Sequence, residues 1–166
     1  TQIKQWAACL SSKTTAWEER CSTLEAVQKL CQIRQADNAE LAQLLWPLAE
    51  PLRVQLTELR SKVLKDACTT WGVMAESMGT HFEPFAQHIF STLCSLFKGF
   101  RLSLSCVVTK KVMSSSSEEC MQHIIKHAFN LPSLSILLDE MSNNKSDLVR
   151  QRVVEYVQMA LQVYTI

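Results

Sequence analysis

Glycine and proline are scarce in this sequence, with three and four residues respectively among 166. So few glycines exclude the glycine-rich loops that cradle nucleotide phosphates. They also leave little material for the turns of a sheet protein, and segments typical of strands are nearly absent. Apolar residues instead recur at helical spacing along most of the chain. The sequence therefore predicts an all-α protein.

The chain also lacks an apolar run long enough to span a bilayer and a pattern typical of a secretory leader. Its formal net charge of +1 gives no support for binding to nucleic acid. Hydrophobic residues make up 47% and charged residues 20%, an ordinary balance for a domain with a sizeable core. We expect a single domain over residues 1–166. We expect the natural protein to be longer, because the sequence starts at Thr1 and stops on apolar residues.

Seven cysteines are present, an odd number at wide spacings. A disulfide framework normally shows an even number at short, regular spacings. Several of these cysteines fall on the apolar stripes of predicted helices, where a thiol acts as a small hydrophobic group. We therefore predict reduced thiols in a reducing compartment.

The apolar pattern divides the chain into about eight helices joined by short polar turns. Pro47 and Pro51 should kink or shorten the third helix, and Gly79 should end the fourth. Residues 100–109 are ambiguous, either a long loop or a short helix, and the serine run 114–117 is typical of a helix start. The predicted helices cover residues 3–10, 17–34, 38–52, 59–78, 84–98, 114–129, 131–141 and 147–164.

A basic residue recurs just inside the turn of several helix pairs, at Arg20, Lys62 and Arg150. The first two are 42 residues apart and the last two are 88 apart, or twice 44. A period in the low forties is typical of stacked helix pairs of the HEAT type. In such stacks the turns within pairs lie along one edge. We predict an α-solenoid of about four pairs, with edge turns at residues 12–16, 56–60, 109–113 and 142–146.

The predicted edge turns carry one aromatic residue followed by cations. Trp17 lies at the start of a helix, before its buried stripe, where a large rigid ring can anchor a partner. Packing of the indole against its own helix is the alternative interpretation. Cations on the later turns could steer the chain onto an acidic protein surface, or could simply be solvated.

Four segments resemble the TOG domains of the CLASP family: Trp17-Glu18-Glu19-Arg20, residues 59–68, Ile124-Ile125-Lys126-His127 and Val149-Arg150-Gln151-Arg152. The resemblance covers about residues 14–164. It implies a HEAT-repeat paddle that binds αβ-tubulin through the turns within repeats and stabilises microtubules. We accordingly expect a monomeric domain of a larger cytoplasmic, microtubule-associated protein, at the spindle or cilium among other places, that binds neither nucleic acid nor membrane.

By this resemblance, Trp17 is the tryptophan of the first-repeat turn that packs on tubulin. The family's domains carry about six repeats, so the later repeats are either absent here or lie beyond Ile166. The segment 100–109 is also longer than the third-repeat loop region of the family. The resemblance assigns further tubulin contacts to the second, third and fourth turns, in this order: Arg60, Ser61 and Lys62; Lys110 and Lys111; Lys145.

A zinc site is the most specific chemical alternative. Cys120, His123 and His127 fall close to one face of a predicted helix, with Glu119 nearby, and these are zinc-binding residue types. A polar flank to the apolar stripe at Ile124 explains the same spacing, and the sequence shows no second cluster of donors. We therefore predict no bound metal.

Catalysis has little support in the sequence. His81 and His88 have no evident nucleophile to activate, and a Cys–His pair built on Cys94 has no visible positioning. Paired carboxylates at helix starts are explained by the helix dipole. We predict no catalytic residue, no cofactor and no enzyme activity. The alternative function is a scaffold α-solenoid that binds proteins other than tubulin.

Overall fold

A computed structural model describes residues 1–33, 38–97 and 107–164, with the side chains of the last range described from Ser114 onward. These residues contain helices and turns and no strand, which confirms the all-α prediction. Short 3-10 segments at Trp46–Leu48 and Gly79–Phe82 precede α4 and α6. The α-helices of the described residues are α1 Gln2–Ser11, α2 Trp17–Ile33, α3 Asn38–Leu45, α4 Ala49–Gln55, α5 Ser61–Met78, α6 Glu83–Leu96, α7 Val107–Ala128, α8 Leu131–Asn143 and α9 Asp147–Tyr164.

These helices stack in two layers. In one layer α1, α4, α6 and α8 contact one another in succession, and in the other α2, α5, α7 and α9 do the same. Each helix of the first layer also contacts the helix of the second layer that follows it in the chain, and α3 leads into α4. The described chain is therefore an α-solenoid of four HEAT-type helix pairs, as predicted.

The core runs between the two layers. On α2 the apolar stripe of Cys21, Leu24, Val27 and Cys31 is buried. Trp71 of α5 is fully buried and meets two phenylalanine rings edge-on, with centroid distances of 6.0 and 6.1 Å. Five of the six cysteines whose side chains are described are buried, in keeping with their predicted role as small hydrophobic groups.

The two prolines of the third predicted helix act differently. Pro47 lies in the 3-10 segment that separates α3 from α4, so the predicted interruption occurs there. Pro51 is the third residue of α4, where its missing N–H costs no helical hydrogen bond. The leucine stripe continues through the interruption without losing its burial, at positions 41, 45, 48 and 52.

The prediction for the third helix pair is wrong in its register. The described part of α7 begins at Val107, so the serine run 114–117 lies inside the helix and residues 109–113 form no turn. Ser116 and Ser117 are buried, and the Ser117 hydroxyl donates to the Ser114 carbonyl at 2.9 Å. Their small side chains pack where a larger residue would hold the neighbouring helix away, and back-bonding satisfies the Ser117 hydroxyl. Residues 100–106 of the ambiguous segment lie outside the described residues.

The last two helices leave several large apolar side chains exposed. Leu161 and Tyr164 of α9 are 55% and 52% exposed, and Leu138 of α8 is 40% exposed. Leu161 and Tyr164 lie in the last turns of α9, beside the end of α7 at Ala128. There the Tyr164 hydroxyl donates to the Ile125 carbonyl at 3.2 Å. Within the described residues, no helix combines the length and apolarity needed to cross a membrane.

Candidate protein-binding edge

The turns of the first two helix pairs lie side by side. Residues 12–16 join α1 to α2, and residues 56–60 join α4 to α5. Where they meet, one shallow pocket of about 300 Å³ opens to the surface. We call its lining the Trp17 edge, which consists of Trp17, Leu59, Arg60, Ser61 and Lys62.

An aromatic–cation contact spans the two turns. The guanidinium carbon of Arg60 lies 5.6 Å from the centroid of the Trp17 ring, within the range of a cation–π interaction. Trp17 is half-buried and packs against the core, while Arg60 is exposed. One side of the indole is therefore fixed by the fold, and the rest faces the pocket.

A partly buried ion pair holds the two turns together from below. Arg20, in the first turn of α2, donates to Glu58 at 2.6 Å and to the Gln55 side-chain oxygen at 3.3 Å. The Gln55 amide in turn donates to the Leu10 carbonyl at 2.7 Å, so α1, α2 and α4 meet at this side chain. Gln55 is 1% exposed, and the network satisfies it where water does not reach.

The environment of Glu58 favours its ionised form. Partial burial works to raise its pKa, but hydrogen bonds from Arg20 and from the Leu59 backbone outweigh burial and hold the pKa below its ordinary value. The Leu59 N–H donates to the Glu58 carboxylate at 2.9 Å. The carboxylate thus fixes both its own turn and the helix of the preceding repeat.

A second charged network lies under Lys62. Its ammonium group donates to Asp66 at 2.7 Å, and this hydrogen bond raises the lysine pKa. Asp66 also contacts α2 through a hydrogen bond with the Cys21 thiol. Burial and this hydrogen bond together raise the pKa of the thiol to about 11. The Lys62 side chain is still 58% exposed, so it has a role in the fold and remains accessible to a partner.

The other predicted contacts lie elsewhere. Lys145 is exposed in the turn between α8 and α9, two repeats along from Arg60. That turn is held by Arg150, which donates to the Asn144 carbonyl at 2.7 Å and pairs with Asp147. Lys110 and Lys111 lie in the first turns of α7 and not in a loop, which corrects their predicted setting, and their side chains are outside the described residues.

A family model described as "CLASP N terminal" matches residues 1–165. The chain belongs to the CLASP N-terminal family. The family assignment agrees with the TOG-type resemblance of the sequence and with the observed stack of helix pairs.

Curated relatives of this CLASP-family chain include animal and plant proteins. CLIP-associating protein 1-B of Xenopus laevis is 27% identical over 153 residues, covering 92% of this chain and 10% of that protein. CLIP-associating protein of Drosophila melanogaster is 26% identical over 157 residues, with the same two shares. CLIP-associated protein of Arabidopsis thaliana is 23% identical over 146 residues, covering 88% of this chain and 10% of that protein. The chain spans about a tenth of the length of these three relatives.

Two features of this family member escaped the sequence analysis. Leu59 is 83% exposed, because α5 begins at Ser61 and not at residue 59, which leaves an apolar side chain in the turn. The Arg20–Glu58 pair was also missed. The two residues are 38 positions apart in the sequence, close to the repeat period. Aligning the turn of the first repeat with that of the second would therefore have predicted the pair.

The residues considered from the sequence as a possible zinc site are not the set that the fold brings together. Cys120 is 3% exposed and hydrogen-bonds Cys68 of α5; that contact and burial raise its pKa. Among the described residues, the metal-binding residue types that the fold brings together are instead Glu76, His123 and His127. Glu76 was absent from the sequence prediction because it lies on a different helix.

Proposed function

We propose that this chain is a tubulin-binding TOG-type domain of a CLASP-like microtubule-stabilising protein, acting in the cytoplasm on microtubules. The proposal also includes the domain extent, residues 1–166, and a monomeric state. It rests on family membership, on the TOG-type resemblance of the sequence and on the Trp17 edge. The observation that carries it is the contact between Trp17 and Arg60, which joins the turns of two repeats into one surface.

The chemistry of the edge suits an acidic, rather flat protein surface such as that of αβ-tubulin. The indole supplies a rigid apolar contact, and Leu59 adds an exposed apolar side chain beside it. Arg60 and Lys62 add positive charge, which speeds encounter with an acidic partner and fixes the orientation of the complex. Lys145 extends the positive charge to the fourth turn.

The edge is organised before any partner arrives. Arg20 and Glu58 fix the spacing of the two turns, and Arg60 already lies over the indole. A surface that needs no ordering on binding loses less conformational entropy, so more of its contact energy appears as affinity. The mechanism is non-covalent: the edge docks on the tubulin dimer and favours growth or survival of the lattice.

Gel filtration and co-sedimentation with purified αβ-tubulin test the proposal. The wild-type chain should co-migrate with tubulin, whereas Trp17→Glu and the double variant Arg60→Ala/Lys62→Ala should lose most of the complex. The matched control is Lys4→Ala/Lys29→Ala, which removes two exposed cations far from the turns. Circular dichroism verifies that each variant is folded. Equal co-migration of wild type and Trp17→Glu would remove this edge from tubulin binding.

A second candidate is a scaffold that binds proteins other than tubulin. It is favoured by Trp46, which is 48% exposed outside the Trp17 edge and contacts Phe85 at a centroid distance of 5.1 Å. An exposed tryptophan held by a neighbouring ring is a common binding anchor. If the folded wild-type chain forms no complex with tubulin, this candidate replaces the first.

A further inference from the structure

Two histidines and a glutamate converge where α5 and α7 run side by side. His123 and His127 are four residues apart on α7, so both rings project from one face of that helix. Their ring centroids are 4.6 Å apart at an angle of 33°. Glu76 faces them from α5, with its carboxylate 3.2 Å from Nε2 of His123. One donor atom from each of the three residues lies within 4.8 Å of the others.

The backbone of α5 makes room for this arrangement. Gly72 lies one turn before Glu76, and a Cβ built there would meet the His123 ring at 3.5 Å. A β-branched or larger side chain at this position would displace the imidazole from α5. One turn earlier, Cys120 of α7 contacts Cys68 of α5, and both thiols are buried. These packed groups thus set the register between α5 and α7. The same register fixes the relative positions of Glu76, His123 and His127.

The donor set matches a borderline divalent ion. Imidazole nitrogen and carboxylate oxygen are the ordinary zinc ligands, and two histidines four residues apart on a helix can bind one ion together. In a tetrahedral site with bonds of about 2.0–2.1 Å the donors are roughly 3.4 Å apart, so small side-chain rotations close the observed set. The side chains of His123 and Glu76 are 41% and 50% exposed, which leaves an entry path.

His127 is also available as a ligand near neutral pH. Burial, with the neighbouring His123, lowers the pKa of His127, so its ring is neutral and offers a lone pair.

We propose that Glu76, His123 and His127 form a binding site for a divalent first-row transition ion, with Zn²⁺ as the occupant and water at the fourth position. The ion joins the second and third repeats by clamping α5 to α7. Glu76 is 15 residues into α5, or about 22 Å from the end that carries the Trp17 edge. The site therefore acts on the rigidity of the stack and leaves the edge itself uncovered.

Isothermal titration of the chelator-treated chain with ZnCl₂ tests the proposal. We expect one ion per chain. His127→Gln and Glu76→Gln should each weaken binding at least about ten-fold, because even outer partners of zinc ligands cost that much. The matched control is His88→Gln, since His88 also pairs with a glutamate, Glu50, at 2.8 Å, but from α6 to α4. Its affinity for Zn²⁺ should equal that of wild type.

A second measurement separates this site from the nearby thiols. Co²⁺ bound by nitrogen and oxygen gives weak visible bands, whereas thiolate ligands add strong charge-transfer absorption in the near ultraviolet. We expect the first spectrum, and we expect Zn²⁺ to raise the melting temperature of wild type and His88→Gln but not of His127→Gln. The proposal is overturned if wild type binds no Zn²⁺, if His127→Gln binds it as tightly, or if the Co²⁺ spectrum is that of a thiolate site.

Discussion

The guanidinium carbon of Arg60 lies 5.6 Å from the centroid of the Trp17 ring, although the two residues belong to the turns of different repeats. Three residues beyond Trp17, Arg20 donates to Glu58 of the second turn at 2.6 Å. One contact shapes the surface and the other fixes the spacing beneath it. Together they make two short turns behave as a single rigid edge.

Removal of Arg20 should loosen this edge and lower stability. The Arg20 and Glu58 side chains are 14% and 24% exposed, so Arg20→Ala leaves a carboxylate and the Gln55 oxygen poorly satisfied. We expect a loss of about 1–3 kcal/mol in the free energy of unfolding, measured by urea titration. The control is Arg53→Ala, which breaks a more exposed pair with Glu50 and should cost less than about 1 kcal/mol. Equal losses in the two variants would contradict a special role for Arg20.

The contribution of Glu58 should depend on pH. Its pKa is below 4.5 in the folded chain, so the unfolded chain binds more protons as the pH falls through this range. The stabilisation is therefore fully present above pH 4.5 and is lost as the pH falls through the lowered pKa. Urea titrations of wild type and Glu58→Gln should differ most near neutral pH and converge on acidification. A difference that stays constant down to pH 3 (about 1.5 below the ordinary glutamate value) would show that the carboxylate's charge is not what matters.

Gly72→Ala should stabilise the chain. Gly72 lies inside α5, where alanine is favoured by about 0.5–1 kcal/mol, and the added Cβ would make ordinary contact with His123 at 3.5 Å. The control is Gly79→Ala: Gly79 has φ 55°, which strains any other residue, although nothing lies within 4 Å of its Cβ position. Thermal melts should move in opposite directions for the two variants. A destabilised Gly72→Ala would mean that His123 cannot adjust.

The sequence was sufficient for the helix stack because its signals are local or periodic. The stripe of α2, the Gly79 stop and the interruption at Pro47 all follow from helical geometry, and each appears in the structure. The 42-residue spacing also reappears, since Gln28 of α2 donates to Thr70 of α5 at 2.9 Å. Fold class and repeat number could therefore be read without tertiary information.

The predictions that were wrong concern features set by the packing of one helix against another. Serines favour helix starts, but those at 116 and 117 are buried small residues within α7, and only the neighbouring helix explains them. The same error displaced the third turn and with it Lys110 and Lys111. The basic residues that recur at the repeat spacing also make different contacts. Arg20 binds the turn of the next repeat, Lys62 binds Asp66, and Arg150 binds its own turn. Similar positions in a sequence period need not make similar contacts.

The most direct test of the account is the Kd for αβ-tubulin of two tryptophan variants, Trp17→Ala and Trp46→Ala. Both indoles are partly accessible, but only Trp17 belongs to the paired turns. We predict that Trp17→Ala weakens binding about 30-fold, the loss of a typical aromatic anchor, while Trp46→Ala binds like wild type. Wild-type affinity in folded Trp17→Ala, or a loss confined to Trp46→Ala, would contradict the assignment of tubulin binding to the Trp17 edge.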